Sequence, residues 1–278
     1  MHSDANEDST FLAHHYELFR EYFRLAERKR RWSIDDDIPW NQCNPHLKSV
    51  VADVIETFCA VELYLPDYLS KLIPQVRANR GRAWFLANWG YEESKHSMVL
   101  GDWLLKARHR TDEQMTDLEA RVFEHEYELP SESPLGMLCY AMIQELATFL
   151  NYCQLRHIVK DLGGDPALDR ILALISIDER AHYDFFRKVV SLYLQRDREV
   201  TLAHLRGVVY SFQMPAVDLL ADGRKRIAEI RALKIFDEEI FFLQVVEPAL
   251  AALGLNKTDL KPRRARGGVL LLGGVGGA

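Results

Sequence analysis

The sequence predicts an all-α protein, a four-helix bundle with additional helices packed outside it. Three observations point there. Apolar residues recur at helical spacing through most of the chain, strand-like alternation bounded by hairpin signals is hard to find, and two Glu-x-x-His units sit in separate helical stretches. The units are Glu93-Ser-Lys-His96 and Glu179-Arg-Ala-His182. With 278 residues and 48% hydrophobic content the chain can build one large core. One domain is expected over 1–260, followed by a basic, Gly-rich tail over 261–278 whose composition reads as disordered.

An amphipathic helix is expected over 11–32, then a loop holding Asp35, Asp36, Asp37 and Pro39. A core helix over 46–75 carries Leu47, Val51, Val54, Phe58, Val61 and Leu65 on one stripe, which Glu62 borders. Pro66 should kink or end it just past that glutamate. The next core helix, 80–107, aligns Trp89, Glu93, His96, Leu100 and Trp103 at spacings of four, three, four and three. A third, 133–161, sets Glu145 among Leu138, Met142, Phe149 and Tyr152, with Thr148 one turn further on. The fourth, 165–196, opens with Asp165 as N-cap and Pro166 at the first helical position, and aligns Ile175, Glu179, His182, Phe186 and Val189. Helices over 199–219, 223–234 and 236–252 are expected outside these four.

Residues three apart on a helix project from the same side, so each Glu-x-x-His unit offers a carboxylate and an imidazole to one point. Both units lie on apolar faces, where an unpaired carboxylate is costly to desolvate, so positive charge must sit beside them. Two more helices, each contributing one glutamate, complete the recipe of a carboxylate-bridged di-iron bundle; Glu62 and Glu145 fit that role. Offsets of 83 residues between the lone glutamates and 86 between the paired units make the chain read as a doubled half-site. Four glutamates balance two ferrous ions when both histidines bind neutral. We expect Glu93 and Glu179 as bridges, Glu62 and Glu145 as terminal ligands, and one histidine on each metal. Asp178 and Glu92, next to the bridging glutamates, are candidates to hold the outer ring protons of the histidines. An oxygen-rich shell suits iron or manganese better than zinc or copper(I).

The remaining composition narrows the class. Cys43, Cys59, Cys139 and Cys153 are widely spaced and expected as reduced thiols; no Cys-x-x-Cys pair offers a zinc ribbon or a rubredoxin-type centre, so electrons must come from a separate protein. No apolar run approaches a membrane span, no signal peptide precedes Phe11, and no basic, aromatic-interleaved surface suggests nucleic acid, which leaves the cytoplasm as the expected compartment.

The stretches Glu62-Leu-Tyr-Leu-Pro66, Trp89-Gly-Tyr-Glu-Glu93-Ser-Lys-His96, Gln144-Glu145-Leu-Ala-Thr148-Phe149 and Asp178-Glu179-Arg-Ala-His182 resemble, in order, the four ligand segments of the soluble plant-type acyl-(acyl-carrier-protein) desaturases of the ferritin-like superfamily. Met214-Pro215-Ala216 and Asp222-Gly223 echo a later motif, and the resemblance fades after 225. It implies two Fe ions that activate O2 and remove two hydrogens from adjacent methylenes of a fatty acyl chain carried on acyl carrier protein. It also implies a ferredoxin-type donor, a homodimer, and catalytic positions at Thr148, facing the oxygen pocket, and Asp178. Other uses of such a bundle would leave different marks: a radical-generating subunit needs an oxidisable tyrosine and usually an aspartate ligand, an N-oxygenase an additional histidine, iron storage a shorter cage-forming bundle. The net charge of −6 does not favour acidic partners, so docking is expected at local basic runs, Arg28–Arg31 or Arg224–Arg226.

Overall fold

The structure, a computed structural model, describes residues 7–216, 219–220 and 222–261. Of the tail expected over 261–278, residues 262–278 lie outside the described residues. Among the described residues every regular element is helical. Helix α1 (Ser9–Lys29) starts where the Asp8 carboxylate accepts the Phe11 N–H at 2.9 Å. It ends three residues before the expected boundary at 32, and Arg30, Arg31 and Trp32 leave its axis.

Helices α2 (Ser49–Glu62) and α3 (Leu65–Val76) replace the single helix expected over 46–75. Pro66 has no N–H for the carbonyl four residues back, and its ring collides with that carbonyl, which belongs to Glu62, the last residue of α2. Helix α4 (Arg80–Lys106) follows, capped by Asn79. Helix α5 (Asp112–Val122) was not expected from periodicity; its signal is the capping box of Thr111 and Gln114. Helices α6 (Pro134–Asp161) and α7 (Pro166–Arg196) form a hairpin turned at Gly163 and Gly164, whose φ values of 119° and 75° suit glycine.

Helix α8 (Arg198–Ser211) stops eight residues before the expected 219, and Pro215 again stands four residues past the last helical residue. After α9 (Gly223–Ala232) come α10 (Glu238–Ile240), a π-helical turn over Phe241–Val246 and α11 (Glu247–Ala252), in place of one helix over 236–252. Pro248 cannot give an N–H to Gln244, and the Glu247 N–H reaches back five residues to the Phe242 carbonyl.

Two apolar cores fill the bundle. One holds Phe85, Leu86 and Trp89 of α4, Leu138 to Ala147 of α6, and Phe185 to Tyr193 of α7. The other holds α2, Val99 to Leu104 of α4, Tyr152 to Val159 of α6, and Ala167 to Ile175 of α7. The early half of α4 thus shares a core with the early half of α6 and the late half of α7, so α4 and α6 run parallel and α7 opposes both. The segment containing α5 crosses the length of the bundle to permit this, the single long crossover of a ferritin-like bundle.

Candidate metal centre

The layer between the two cores is polar. Ligand atoms of Glu62, Glu93, His96 and Glu179 lie within 4.8 Å of one another, and so do those of Glu93, Glu145, Glu179 and His182. Glu93 and Glu179 belong to both groups, and each group adds one lone glutamate and one histidine. His96 Nδ1 stands 2.9 Å from Glu93 Oε2 and 3.4 Å from Glu179 Oε1. His182 Nδ1 stands 2.9 Å from Glu93 Oε1, 3.3 Å from Glu145 Oε2 and 3.7 Å from Glu179 Oε2. Five of the six residues are buried; Glu62, at the helix break, is partly buried on a cavity wall.

These residues fit a pair of cations better than they fit each other. Glu145 Oε2, both carboxylate oxygens of Glu179 and His182 Nδ1 are buried without a hydrogen-bond partner, a costly state that divalent ions would relieve. Burial, then the charges of Glu93 and Glu179, push the Glu62 carboxyl well up, and burial with Glu179 does the same to Glu145. Burial alone would also raise Glu93, but the two imidazoles bring it down. Four oxygen-donor residues and two imidazoles form a donor set suited to iron or manganese.

The outward nitrogens of the two histidines face carboxylates crosswise. Glu92, beside Glu93, accepts from His182 Nε2 at 3.0 Å, while Asp178, beside Glu179, faces His96 Nε2 at 3.6 Å. Each outer carboxylate therefore faces the histidine of the opposite motif; His182 Nε2 is hydrogen-bonded there, whereas His96 Nε2 is buried with no hydrogen-bond partner. The segment that leaves α1 sits behind them: Arg30 Nη1 is 2.7 Å from Asp178 Oδ1, Trp32 Nε1 donates to Asp178 Oδ2 at 2.8 Å, and Arg31 Nη1 is 2.6 Å from Glu92 Oε1. The Tyr22 hydroxyl also donates to Glu92. Burial would raise the Glu92 carboxyl, but His182 and the surrounding donors bring it down to about 2. Trp89 Nε1 donates to Glu145 Oε1 at 3.1 Å and the Tyr152 hydroxyl to Glu62 Oε1 at 3.3 Å.

Tyr22, Arg30, Arg31 and Trp32 escaped the sequence reading as site residues, and Tyr152 was read there only as a packing position beside Glu145. Their one visible signal was the run Arg28–Arg31, read as a docking patch; only Arg28 and Lys29 are exposed, because α1 ends and turns Arg30 and Arg31 inward. The second run is divided too, since Arg226 reaches Glu56 at 2.6 Å and Thr57 at 2.8 Å and leaves Arg224 and Lys225 outside.

A cavity of about 460 Å3, within the usual size of small-molecule sites, adjoins the centre. Glu62 and Glu93 form part of its wall, with Phe58, Phe85, Trp89 and Leu138. Thr148 lines it as well, its hydroxyl donating to the Gln144 carbonyl at 3.0 Å. The four cysteines are free thiols, Cys59 and Cys139 buried. Among the described residues no helix is long and apolar enough to cross a membrane.

Residues 47–250 match the model of the family described as fatty acid desaturase. A Mycobacterium tuberculosis protein that carries the name acyl-(acyl-carrier-protein) desaturase DesA1 is 25% identical over 249 residues, 82% of this chain and 72% of that protein. Stearoyl-(acyl-carrier-protein) 9-desaturase 1 of Arabidopsis thaliana is 29% identical over 144 residues, 49% of this chain and 34% of its own length. Among solved structures, the X-ray structure that carries the name acyl-ACP desaturase DesA2, from Mycobacterium tuberculosis, aligns with TM-score 0.66 at 17% identity, covering 89% of this chain and 96% of that one. An R2-like ligand-binding oxidase aligns with TM-score 0.56 at 17% identity, covering 94% and 99%. At these identities the structural likeness speaks to the ferritin-like fold.

Proposed function

The chain belongs to the fatty acid desaturase family, and we propose that it is an acyl-(acyl-carrier-protein) desaturase: an oxidoreductase that uses O2 and electrons from a ferredoxin-type protein to place a cis double bond in a saturated fatty acyl chain. The observation that carries this reading is the juxtaposition of two interlocked ligand groups with an apolar cavity that shares Glu62 and Glu93 with them. In this reading residues 1–260 are one catalytic domain acting in the cytoplasm as a homodimer.

Glu62, Glu93, His96, Glu145, Glu179 and His182 would hold two iron ions, with Glu93 and Glu179 common to both ligand groups. Bound there, the iron pair supplies the O2 activation that removing hydrogens from unactivated methylenes requires. Glu92 keeps the outer nitrogen of His182 occupied, which turns its Nδ1 toward the centre and raises its basicity as a ligand, and we assign Asp178 the corresponding place behind His96. Phe58, Phe85, Trp89 and Leu138 exclude water and align the chain so that one C–C bond lies against Glu62 and Glu93. Thr148 sets a hydroxyl on the same wall, and we assign it and Asp178 supporting roles in the chemistry.

The test is reconstitution of the iron-loaded protein with ferredoxin, reductant and a set of acyl carrier protein thioesters of different length, with mass spectrometry to locate new double bonds. One unsaturated product at a fixed position is the expected outcome. Acyl groups unchanged across the set, with iron bound and oxygen present, would count against desaturation.

A further inference from the structure

We propose that Arg30, with Arg31 beside it, is a positioning residue that fixes the charge of the metal centre from outside the ligand set. This rests on the dinuclear reading of the site. Six carboxylates gather there, Glu62, Glu93, Glu145 and Glu179 toward the shared point and Glu92 and Asp178 behind the histidines. Two divalent ions neutralise the inner four and leave the outer two uncompensated in a buried layer, where lone charges are costly. Arg30 and Arg31 bring positive charge into direct contact with those two outer carboxylates.

The contacts are specific. Arg30 reaches both outer carboxylates, with Nη1 2.7 Å from Asp178 and Nη2 3.6 Å from Glu92. One planar fork thereby spans both outer carboxylates, whereas a lysine there would keep the charge without the fork. The guanidinium also lies 4.7 Å over the Tyr22 ring, which fixes its plane. Arg31 contacts Glu92 at 2.6 Å and faces outward to Glu27 at 2.6 Å and Asn88 at 2.8 Å. Lys95, a further buried cation, acts on Asp178 and Glu92 only through space: its ammonium donates to the Trp32 carbonyl and sits 3.7 Å over the Trp32 ring. The early end of α1 at Lys29 lets the two arginines turn inward.

Oxidation adds positive charge at the centre, so fixed cations nearby oppose it and hold the reduction potential up. Removing Arg30 should therefore lower the potential, whereas a merely structural part would weaken metal binding without moving the potential in a charge-dependent way. The experiment is spectroelectrochemical titration of iron-loaded wild type, R30Q, R30K and R31Q, with iron counted per chain. We expect two irons per chain throughout, a lower midpoint in R30Q, recovery of most of that fall in R30K, and a smaller fall in R31Q, whose side chain is more exposed and better screened. A midpoint in R30Q equal to wild type, or one in R30K as low as in R30Q, overturns the inference. Should R30Q not hold two irons, R31Q decides: a lower midpoint upholds the role of the pair and an unchanged one overturns it. Wild-type protein that takes up no iron would refute the dinuclear reading itself, and this inference with it.

Discussion

Beyond the metal layer, the residue whose environment is most at odds with its own chemistry is His15. It is fully buried, with Asn79 Nδ2 facing its Nδ1 and the rings of Phe11 and Tyr193 against it at 4.6 and 5.7 Å. Burial, then the positive charge of Arg82, outweighs the Asn79 contact and lowers the imidazole to about 3 from the usual 6.5. Above 6.5 His15 is neutral whether the chain is folded or not, and costs nothing. Below that the unfolded chain takes up a proton that the folded one refuses until about pH 3, so stability falls as the pH falls through this window. Comparing denaturant unfolding of wild type and His15→Gln from pH 7 to pH 4 isolates the effect: the variant should lose less stability on acidification. Parallel curves would show that His15 does not carry this slope. At this scale the sequence was informative for inward-facing groups on a regular helix, where three-residue spacing places Glu93 with His96 and Glu179 with His182. It said nothing about the crossed pairing of Glu92 and Asp178, because which outer carboxylate meets which histidine depends on how α4 packs against α7 and not on spacing within either helix.

At the scale of elements, proline decides where helices end, and one of those ends shapes the site. Pro66 places the break between α2 and α3 level with the polar layer, so Glu62 sits on a terminal turn, beside the cavity, and not within a continuous helix. Replacing Pro66 by Ala returns an N–H to the Glu62 carbonyl and lets α2 run on. Stability should change little or rise, while metal binding at the half-site containing Glu62 and His96 should weaken, by roughly tenfold if Glu62 shifts as far as the loss of a supporting contact commonly allows. Competitive metal titration measures it; two unchanged binding constants would mean that the break does not set Glu62. The break was legible in the sequence, as was each core helix to within a few residues. The early ends of α1 and α8 were not. Periodicity continues past both, and what stops α8 is Pro215 acting four residues back on Ser211, a local clash that outweighs the apolar pattern. Helix α5 was missed for the opposite reason, since its capping signal is clear but its apolar face is short.

For the molecule as a whole, the two cores meet the cavity unequally: the core of α2 reaches it at its edge, through Phe58, Val61 and Tyr152, while its interior stands apart. The core of α2 and the late half of α4 is densely filled: Leu168, Leu155 and Leu104 have no exposed surface and none lines the cavity. The other core borders the cavity, and Leu138 and Leu86 belong both to its packing and to the cavity wall. Removing a side chain from the filled core leaves a void that the bundle cannot close, so Leu168→Ala should cost about 2–5 kcal/mol. It should leave the distribution of acyl products unchanged. Leu138 already faces open space, so Leu138→Trp can put its added volume into the cavity and should cost less than Leu168→Ala. Because the cavity holds the acyl chain in the proposed function, that variant should instead shorten the longest chain accepted. Denaturant unfolding and a chain-length series of carrier-linked substrates, run on both variants, read the two quantities independently. If Leu168→Ala altered chain preference as much as Leu138→Trp, the two cores would be mechanically coupled through the polar layer, and the metal centre would have to be treated as part of one continuous core.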